Sequence, residues 1–263
     1  MPEGHTVHRL AAGLKQTLGG GLVEATSPQG RFELGAALID GEEIVSSRAW
    51  GKYLFVNWTG GQTLHVHLGL IGKFRNRGAN PGEPRDSIRL RLRNDTACWD
   101  LTGPTRCEIV TPSQRRLIES KLGADPLRLR HDVASARARF ARSTKPVGAM
   151  LLDQTVIAGL GNVYRAEILF LCGIHPNRPS KDMTDDDFDA VWSESGRLLK
   201  IGVRTGRIIT TDPVEIGRPR SRMRSADALY VYHREHCRRC GSNIATVVLG
   251  GRPIQFCPEC QPR

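Results

Sequence analysis

The chain has 263 residues, 39% hydrophobic and 25% charged, which is the composition of a folded protein with room for two domains and excludes a disordered chain. Its formal net charge is +11, and it contains no run of 18 apolar residues, so no membrane span is expected and a polyanionic partner is. The excess is uneven: residues 1–120 carry 15 Lys and Arg against 12 Asp and Glu, and residues 121–263 carry 23 against 15.

The chain opens MPEGHTVHRL. His5, Thr6, His8 and Arg9 interrupt any signal-peptide core, so a cytoplasmic location is expected. Seven cysteines there are not expected to form a disulfide framework. Val7, Leu10, Ala11, Leu14 and Leu18 fall at helical spacing and predict a helix over 5–18. That helix would anchor a terminus that is otherwise free to fray. Removal of Met1 would make Pro2 a free secondary amine with the Glu3 carboxylate beside it. Taken alone, the pair also reads as two ordinary terminal residues.

Strand-like runs follow: EEIVSS, KYLFVNW, QTLHVHL, SIRLRLR, TACWDL and RCEIV. In SIRLRLR, Ile88, Leu90 and Leu92 alternate with Arg89, Arg91 and Arg93, as in a strand with one solvated face. Gly60–Gly61 and NRGANPGEPRD read as loops. Residues 1–120 are therefore predicted to be an antiparallel sandwich or barrel. From 121 the texture changes. KLGADPLRLRHD reads as a linker, and helices are predicted over about 133–141, 147–157, 162–172 and 185–203. Thr184 and Asp187 form a capping-box pattern before the last of these. TTDPVEIGRPRSRMRSAD reads as an exposed basic loop.

The strongest local signal closes the chain. Cys237-x2-Cys240 and Cys257-x2-Cys260, sixteen residues apart, have the spacing of four thiolates around one structural zinc; a redox dithiol is the alternative. The sixteen residues read as two strands around a Gly250–Gly251 turn, with Arg252 just after it. Arg252 is placed either to fork onto a phosphate or simply to be solvated. In DQTVIAGLGNVYRAEILFLCGIHP, two helices flank the AGLGN turn. Gly159 and Gly161 permit unusual φ values, and Asn162 opens a helix whose amides suit an anion, although a plain helical hairpin fits too. Lys52 in WGKYLF either snorkels or works at a strand end. In HLGLIGKF, Gly69 and Gly72 bracket Leu70 and Ile71, which suits a wedge in a base stack or an ordinary core turn. Cys98, Cys107 and Cys172 read as buried thiols.

Together these pieces resemble the formamidopyrimidine-DNA glycosylase/endonuclease VIII family, and the opening resembles the endonuclease VIII branch. The resemblance runs the length of the chain through PEG, GKYLF, HLGLIGKF, the AGLGN block and the four-cysteine finger with GGRPIQFCPECQ. It implies an α+β fold: an N-terminal β-sandwich domain over 1–120, a linker and helix–two-turn–helix domain over 121–227, and a zinc-finger hairpin over 228–263. It implies Pro2 as nucleophile, Glu3 as its adjacent acid and Lys52 as a further catalytic residue. It also implies Leu70, Asn162, Glu167 and Arg252 at the DNA, and Cys237, Cys240, Cys257 and Cys260 on one structural zinc ion. A cytoplasmic, nucleoid-associated monomer that acts on damaged DNA is expected.

Two departures bear on that reading. Many members carry a second glutamate where this chain has Thr6, and the formamidopyrimidine branch carries an Arg-x-Phe that is missing from DLTGPTRCEIV. Oxidised pyrimidines are therefore expected as substrates ahead of 8-oxoguanine. The implied activity is that of a bifunctional glycosylase and abasic-site lyase acting by β,δ-elimination. A non-catalytic damaged-DNA binder is the alternative, and a zinc-ribbon RNA-binding module is a third reading that leaves Pro2–Glu3 without a role.

Overall fold

The computed structural model describes residues 2–129 and 132–263. The chain divides into two compact units, Met1–Lys121 and Leu122–Arg263. Met1, and Arg130 and His131 in the expected linker, lie outside the described residues.

The first unit opens with α1 (Gly4–Leu18), whose Val7, Ala11, Leu14 and Leu18 are buried in the expected stripe. β1 (Leu22–Thr26), α2 (Glu33–Ala37), β2 (Glu42–Trp50), β3 (Tyr53–Trp58), β4 (Thr63–His67), β5 (Lys73–Gly78), β6 (Ile88–Arg93), β7 (Cys98–Thr102), β8 (Arg106–Val110) and α3 (Pro112–Glu119) follow. The strands pair in the order β5-β7-β6-β1-β2-β3-β4-β8, antiparallel throughout. β1 and β2 meet over only two residue pairs, Leu22↔Glu43 and Val23↔Glu42. That narrow join separates two four-stranded layers. Leu54, Val56, Leu64 and Val66 of one and Leu90, Leu92, Trp99 and Leu101 of the other share one core with α1, which is the expected sandwich.

β1 and β5 are additions to the strands read from the sequence. β5 buries only Phe74, so it shows little apolar alternation. Arg91 departs from its expectation as well. It is buried, not solvated, because Nε and Nη2 donate to the two carboxylate oxygens of Asp100 at 2.8 and 3.0 Å and Nη1 donates to the Gly82 carbonyl.

The second unit contains α4 (Val133–Arg142), α5 (Val147–Met150), α6 (Asn162–Leu171), α7 (Asp185–Thr205), α8 (Pro213–Ile216), β9 (Ala245–Leu249) and β10 (Arg252–Phe256). α7 starts at the capping box expected from Thr184 and Asp187. α5 is far shorter than the 147–157 predicted. Asp153 Oδ1 accepts from the amide and hydroxyl of Thr155, and the Gln154 side chain bridges the Leu152 and Leu160 carbonyls and the Gly159 amide. These side chains satisfy the backbone that a longer helix would have used. The 210–227 stretch is not a bare loop: it forms α8 and two 3-10 turns, and it buries Thr210, Thr211 and Met223. Leu160, Tyr164, Leu169, Phe170, Leu199 and Ile254 share one core, so helices and finger are parts of one unit. No described helix is long and apolar enough to cross a membrane.

Glu167 corrects an expectation. The resemblance implies a place at the DNA, but the side chain is 0% exposed. Oε2 accepts from the Tyr230 amide at 2.8 Å and from the Thr210 hydroxyl, and Oε1 accepts from the Val231 and Tyr232 amides at 2.9 and 2.8 Å. A carboxylate spent on four internal donors is a brace for residues 210 and 230–232. Glu167→Ala should leave those donors unsatisfied and destabilise the second unit by on the order of 3 kcal/mol or more. Thermal unfolding should show its transition lowered by roughly 10 °C, whereas an unchanged transition would refute the brace.

Candidate active site and nucleic-acid interface

In the first unit the site begins at the head of α1. Glu3 is the N-cap residue and is 0% exposed; its carbonyl accepts from the Thr6 and Val7 amides. Pro2, half-buried, precedes it. The helix is pinned at its far end too, where Lys15 Nζ donates to the Ile44 carbonyl at the start of β2 and the Trp99 indole donates to Thr17. α1 packs on β2 and on β3, which the turn at residues 51–52 joins. Lys52 sits in that turn, after Gly51 at φ 56°, rather than on the strand itself.

His67 pairs with Tyr53, the residue after Lys52, and their rings lie 4.8 Å apart. Burial pushes the His67 pKa down, and the charges of His65, Lys52 and Arg106 add to the effect. The His65 pKa is lowered by burial as well, against a 3.0 Å hydrogen bond between Nδ1 and Glu108. Burial pulls His5 down to about 4. The imidazoles beside α1 and Lys52 are thus held neutral. The β4–β5 loop starts from the same strand end as His67. Leu70 and Ile71 are 56% and 78% exposed at its tip. The loop turns at Gly69, φ 67°, and a Cβ on Gly72 would strike the Leu68 carbonyl at 2.2 Å, so the tight turn requires glycine there. Leu70 therefore projects and does not fill a core.

In the second unit, the AGLGN turn places Gly159 at φ 105°, which favours glycine, whereas Gly161 is extended and caps α6. Of these two glycines, which both permit unusual φ, only Gly159 uses that freedom. Asn162 is buried: Nδ2 donates to the Pro253 carbonyl at 2.9 Å, and Oδ1 accepts from Arg165. Arg252 is half-buried where β10 leaves the Gly250–Gly251 turn, both glycines having positive φ. Arg165, buried on the same helix and bonded to Asn162 and the hairpin, does not stand out in the sequence pattern. Its one signal is its place as the lone arginine inside the apolar stretch NVYRAEILFL.

The four finger cysteines converge, with all four sulfurs within 4.8 Å of one another. Cys237 and Cys260 sulfurs are 3.9 Å apart, and Cys240 and Cys257 sulfurs 3.4 Å. Tetrahedral zinc–thiolate bonds of about 2.3 Å place sulfurs about 3.8 Å apart, so the donor set fits that ion. Gln261 locks the knuckle onto the helices: its Nε2 donates to the Ile174 carbonyl and its Oε1 accepts from the Cys257 amide. Cys107 and Cys172 are half-buried, with burial pushing both thiols up to about 12, so neither is a ready nucleophile.

Comparison with known proteins places these features in a family. Residues 1–107 match the formamidopyrimidine-DNA glycosylase N-terminal domain, and residues 122–214 match the formamidopyrimidine-DNA glycosylase H2TH domain. The chain is 42% identical to Endonuclease 8 1 of Mycobacterium tuberculosis, over 99% of this chain and all of that protein. It is 29% identical to formamidopyrimidine-DNA glycosylase of Legionella pneumophila, over 100% of this chain and 99% of that protein. Solved structures of Lactococcus lactis Fpg superpose along its length. One, bound to DNA containing N7-benzyl-Fapy-dG, has a TM-score of 0.81, 25% identity and full coverage of both chains. Another, bound to DNA with an abasic site, has a TM-score of 0.79 at 25% identity, covering 99% of this chain and all of that one. With an antiparallel sheet led by Pro2–Glu3, an AGLGN turn opening a helix and a four-cysteine hairpin, the chain belongs to the formamidopyrimidine-DNA glycosylase/endonuclease VIII family of DNA-repair glycosylases.

Proposed function

We propose that this protein excises oxidised pyrimidines from DNA and then cuts the strand at the resulting abasic site, with Pro2 as its nucleophile. The observation that carries this reading is the anchored Pro2–Glu3 pair: a terminus held at the head of a packed helix, with a carboxylate completely withdrawn from water. The Lactococcus lactis relative solved with abasic-site DNA and with oxidised-pyrimidine DNA supports this substrate class.

A stacked base shields its own sugar, so the nucleotide must turn out of the duplex. Leu70, exposed on its glycine-framed loop, fills the space left behind. Arg252 and the second N–H of Asn162 Nδ2 hold backbone phosphates, and charge attracts the rest of the polyanion. Pro2 nitrogen attacks C1′, the C1′–base bond breaks, and the base leaves with a proton. Glu3 donates a proton to the ring oxygen as the sugar opens. The product is an iminium between Pro2 and C1′, the secondary-amine counterpart of a lysine Schiff base. A terminal amine of pKa about 8 is far more often neutral at working pH than a lysine of about 10.4. Lys52 neutralises a neighbouring phosphate. The iminium acidifies C2′–H; its loss expels the 3′ phosphate, a second elimination expels the 5′ phosphate, and water releases the sugar remnant. Only a chain without Met1 has the required amine. Cys237, Cys240, Cys257 and Cys260 would hold one zinc ion that braces the finger hairpin, and four thiolate ligands would leave it no open position for substrate.

The protein acts as a monomer on this reading, and four outcomes test the proposal. Borohydride added to protein and abasic DNA should trap a covalent adduct on Pro2 of the methionine-free chain. Glu3→Gln should keep trapping on abasic DNA but excise intact lesions at least tenfold more slowly. A free Pro2 that gives no adduct would leave a damaged-DNA binder, and an adduct on Lys52 would move the nucleophile. Metal analysis should find one zinc per chain, lost in Cys257→Ser; near-zero zinc in protein purified without chelator would refute the finger. In matched duplexes, thymine glycol and hydroxyuracils should be released faster than 8-oxoguanine opposite cytosine. The reverse ranking would show that the missing Arg-x-Phe does not decide substrate.

A further inference from the structure

Arg165 stands on α6, three residues after Asn162, and is 0% exposed. A guanidinium carries five N–H donors in a fixed planar fork. Here five acceptors surround it. Nε donates to Asn162 Oδ1 at 2.9 Å. Nη1 donates to the carbonyls of Gly148 at 2.8 Å and Leu249 at 2.9 Å. Nη2 donates to the carbonyls of Arg252 at 3.0 Å and Pro253 at 3.5 Å. Leu249 and Arg252 are cross-strand partners that flank the Gly250–Gly251 turn. The fork therefore enters the finger hairpin at its turn end. The four cysteines hold the opposite end, where Cys257 directly follows β10.

Neutral carbonyls repay the burial of a cation poorly, and an apolar side chain of similar volume would fill the space at lower cost. An apolar side chain cannot set direction. Five hydrogen bonds from one rigid plane fix where the turn stands against α6, and they also orient the Asn162 amide, whose Nδ2 reaches Pro253.

We infer that Arg165 is a positioning residue: from inside the second unit it sets Asn162 and Arg252 at a fixed spacing, so that the two present donors to DNA phosphates as one preformed grip. The inference rests on the phosphate role proposed above for Arg252 and Asn162. It predicts that the grip belongs to the helix and the hairpin jointly and is lost when the fork between them is removed, even with the metal site intact.

The test is a double-mutant cycle on the full chain with a duplex containing a stable abasic-site analogue, titrated at several salt concentrations. Arg165→Met and Arg165→Lys are combined with Arg252→Ala, with zinc content and thermal transition measured for each variant. Arg165→Met should weaken binding about tenfold and lower the salt slope by about one, as expected for loss of one phosphate contact. Arg165→Lys should recover part of the loss. At saturating concentrations of a second duplex carrying a cleavable oxidised pyrimidine, the single-turnover rate should stay within about twofold of wild type, so the defect lies in binding and not in the chemical step. Arg165→Met on top of Arg252→Ala should cost little more than Arg252→Ala alone. Additive losses would overturn the inference while leaving the phosphate role of Arg252 standing. Zinc loss or a collapsed thermal transition in both Arg165 variants would also overturn it, since the arginine would then be purely structural. Unchanged affinity in Arg252→Ala would remove the phosphate role itself, and this inference with it.

Discussion

The organisation of the second unit depends on one helix that buries polar groups. α6 hides an amide at Asn162, a guanidinium at Arg165 and a carboxylate at Glu167, and none can be left unsatisfied inside a protein. Each reaches a distant segment: Asn162 and Arg165 take the finger hairpin, and Glu167 takes residues 210 and 230–232. Apolar packing around Tyr164, Leu169 and Phe170 supplies the adhesion. The polar trio supplies register, because hydrogen bonds fail at a shift that a greasy contact would tolerate. Finger and helices thereby become one body without relying on the metal alone.

The first unit solves a different problem, which is how to make the end of a chain rigid. The buried stripe of α1 is clamped near its far end by Lys15 and Thr17, and Glu3 at its head is sealed from water. Such a terminus has lost the freedom that normally blurs terminal residues. The sheet beneath it ends in short turns, and those turns carry Lys52 and Leu70. The residues proposed to work in this unit therefore sit on connections, and the strands serve to hold those connections still.

Much of this was legible in the linear pattern, for physical reasons that differ by element. The finger was readable because tetrahedral thiolate coordination demands a fixed Cys-x2-Cys spacing. α1 and α7 were readable from a 3.6-residue period and, for α7, a capping box. The fold class followed from the contrast between alternating runs and helical runs. β5 was hidden because an edge strand with one buried side chain has no alternation to detect. α5 was overestimated because Asp153 and Gln154 divert the backbone locally, a competition that periodicity does not register. The burial of Glu167 and of Arg165 is not legible in the sequence, for one reason. Whether these charged residues face water or the core is decided with partners as far as 43 to 88 positions away, which no local window contains.

The neutral imidazoles of the first unit have a consequence for acid tolerance. His5, His65 and His67 all have folded-state pKa values below the ordinary 6.5, so unfolding lets each take up a proton more readily. The contribution they make to stability is complete above 6.5 and shrinks as pH falls, and for His5 the loss continues down to about 4. In the second unit His175 is shifted the same way by burial. Mild acid thus presses on the packing of the unit that holds Pro2 and Glu3, and loosens the support on which those two residues stand.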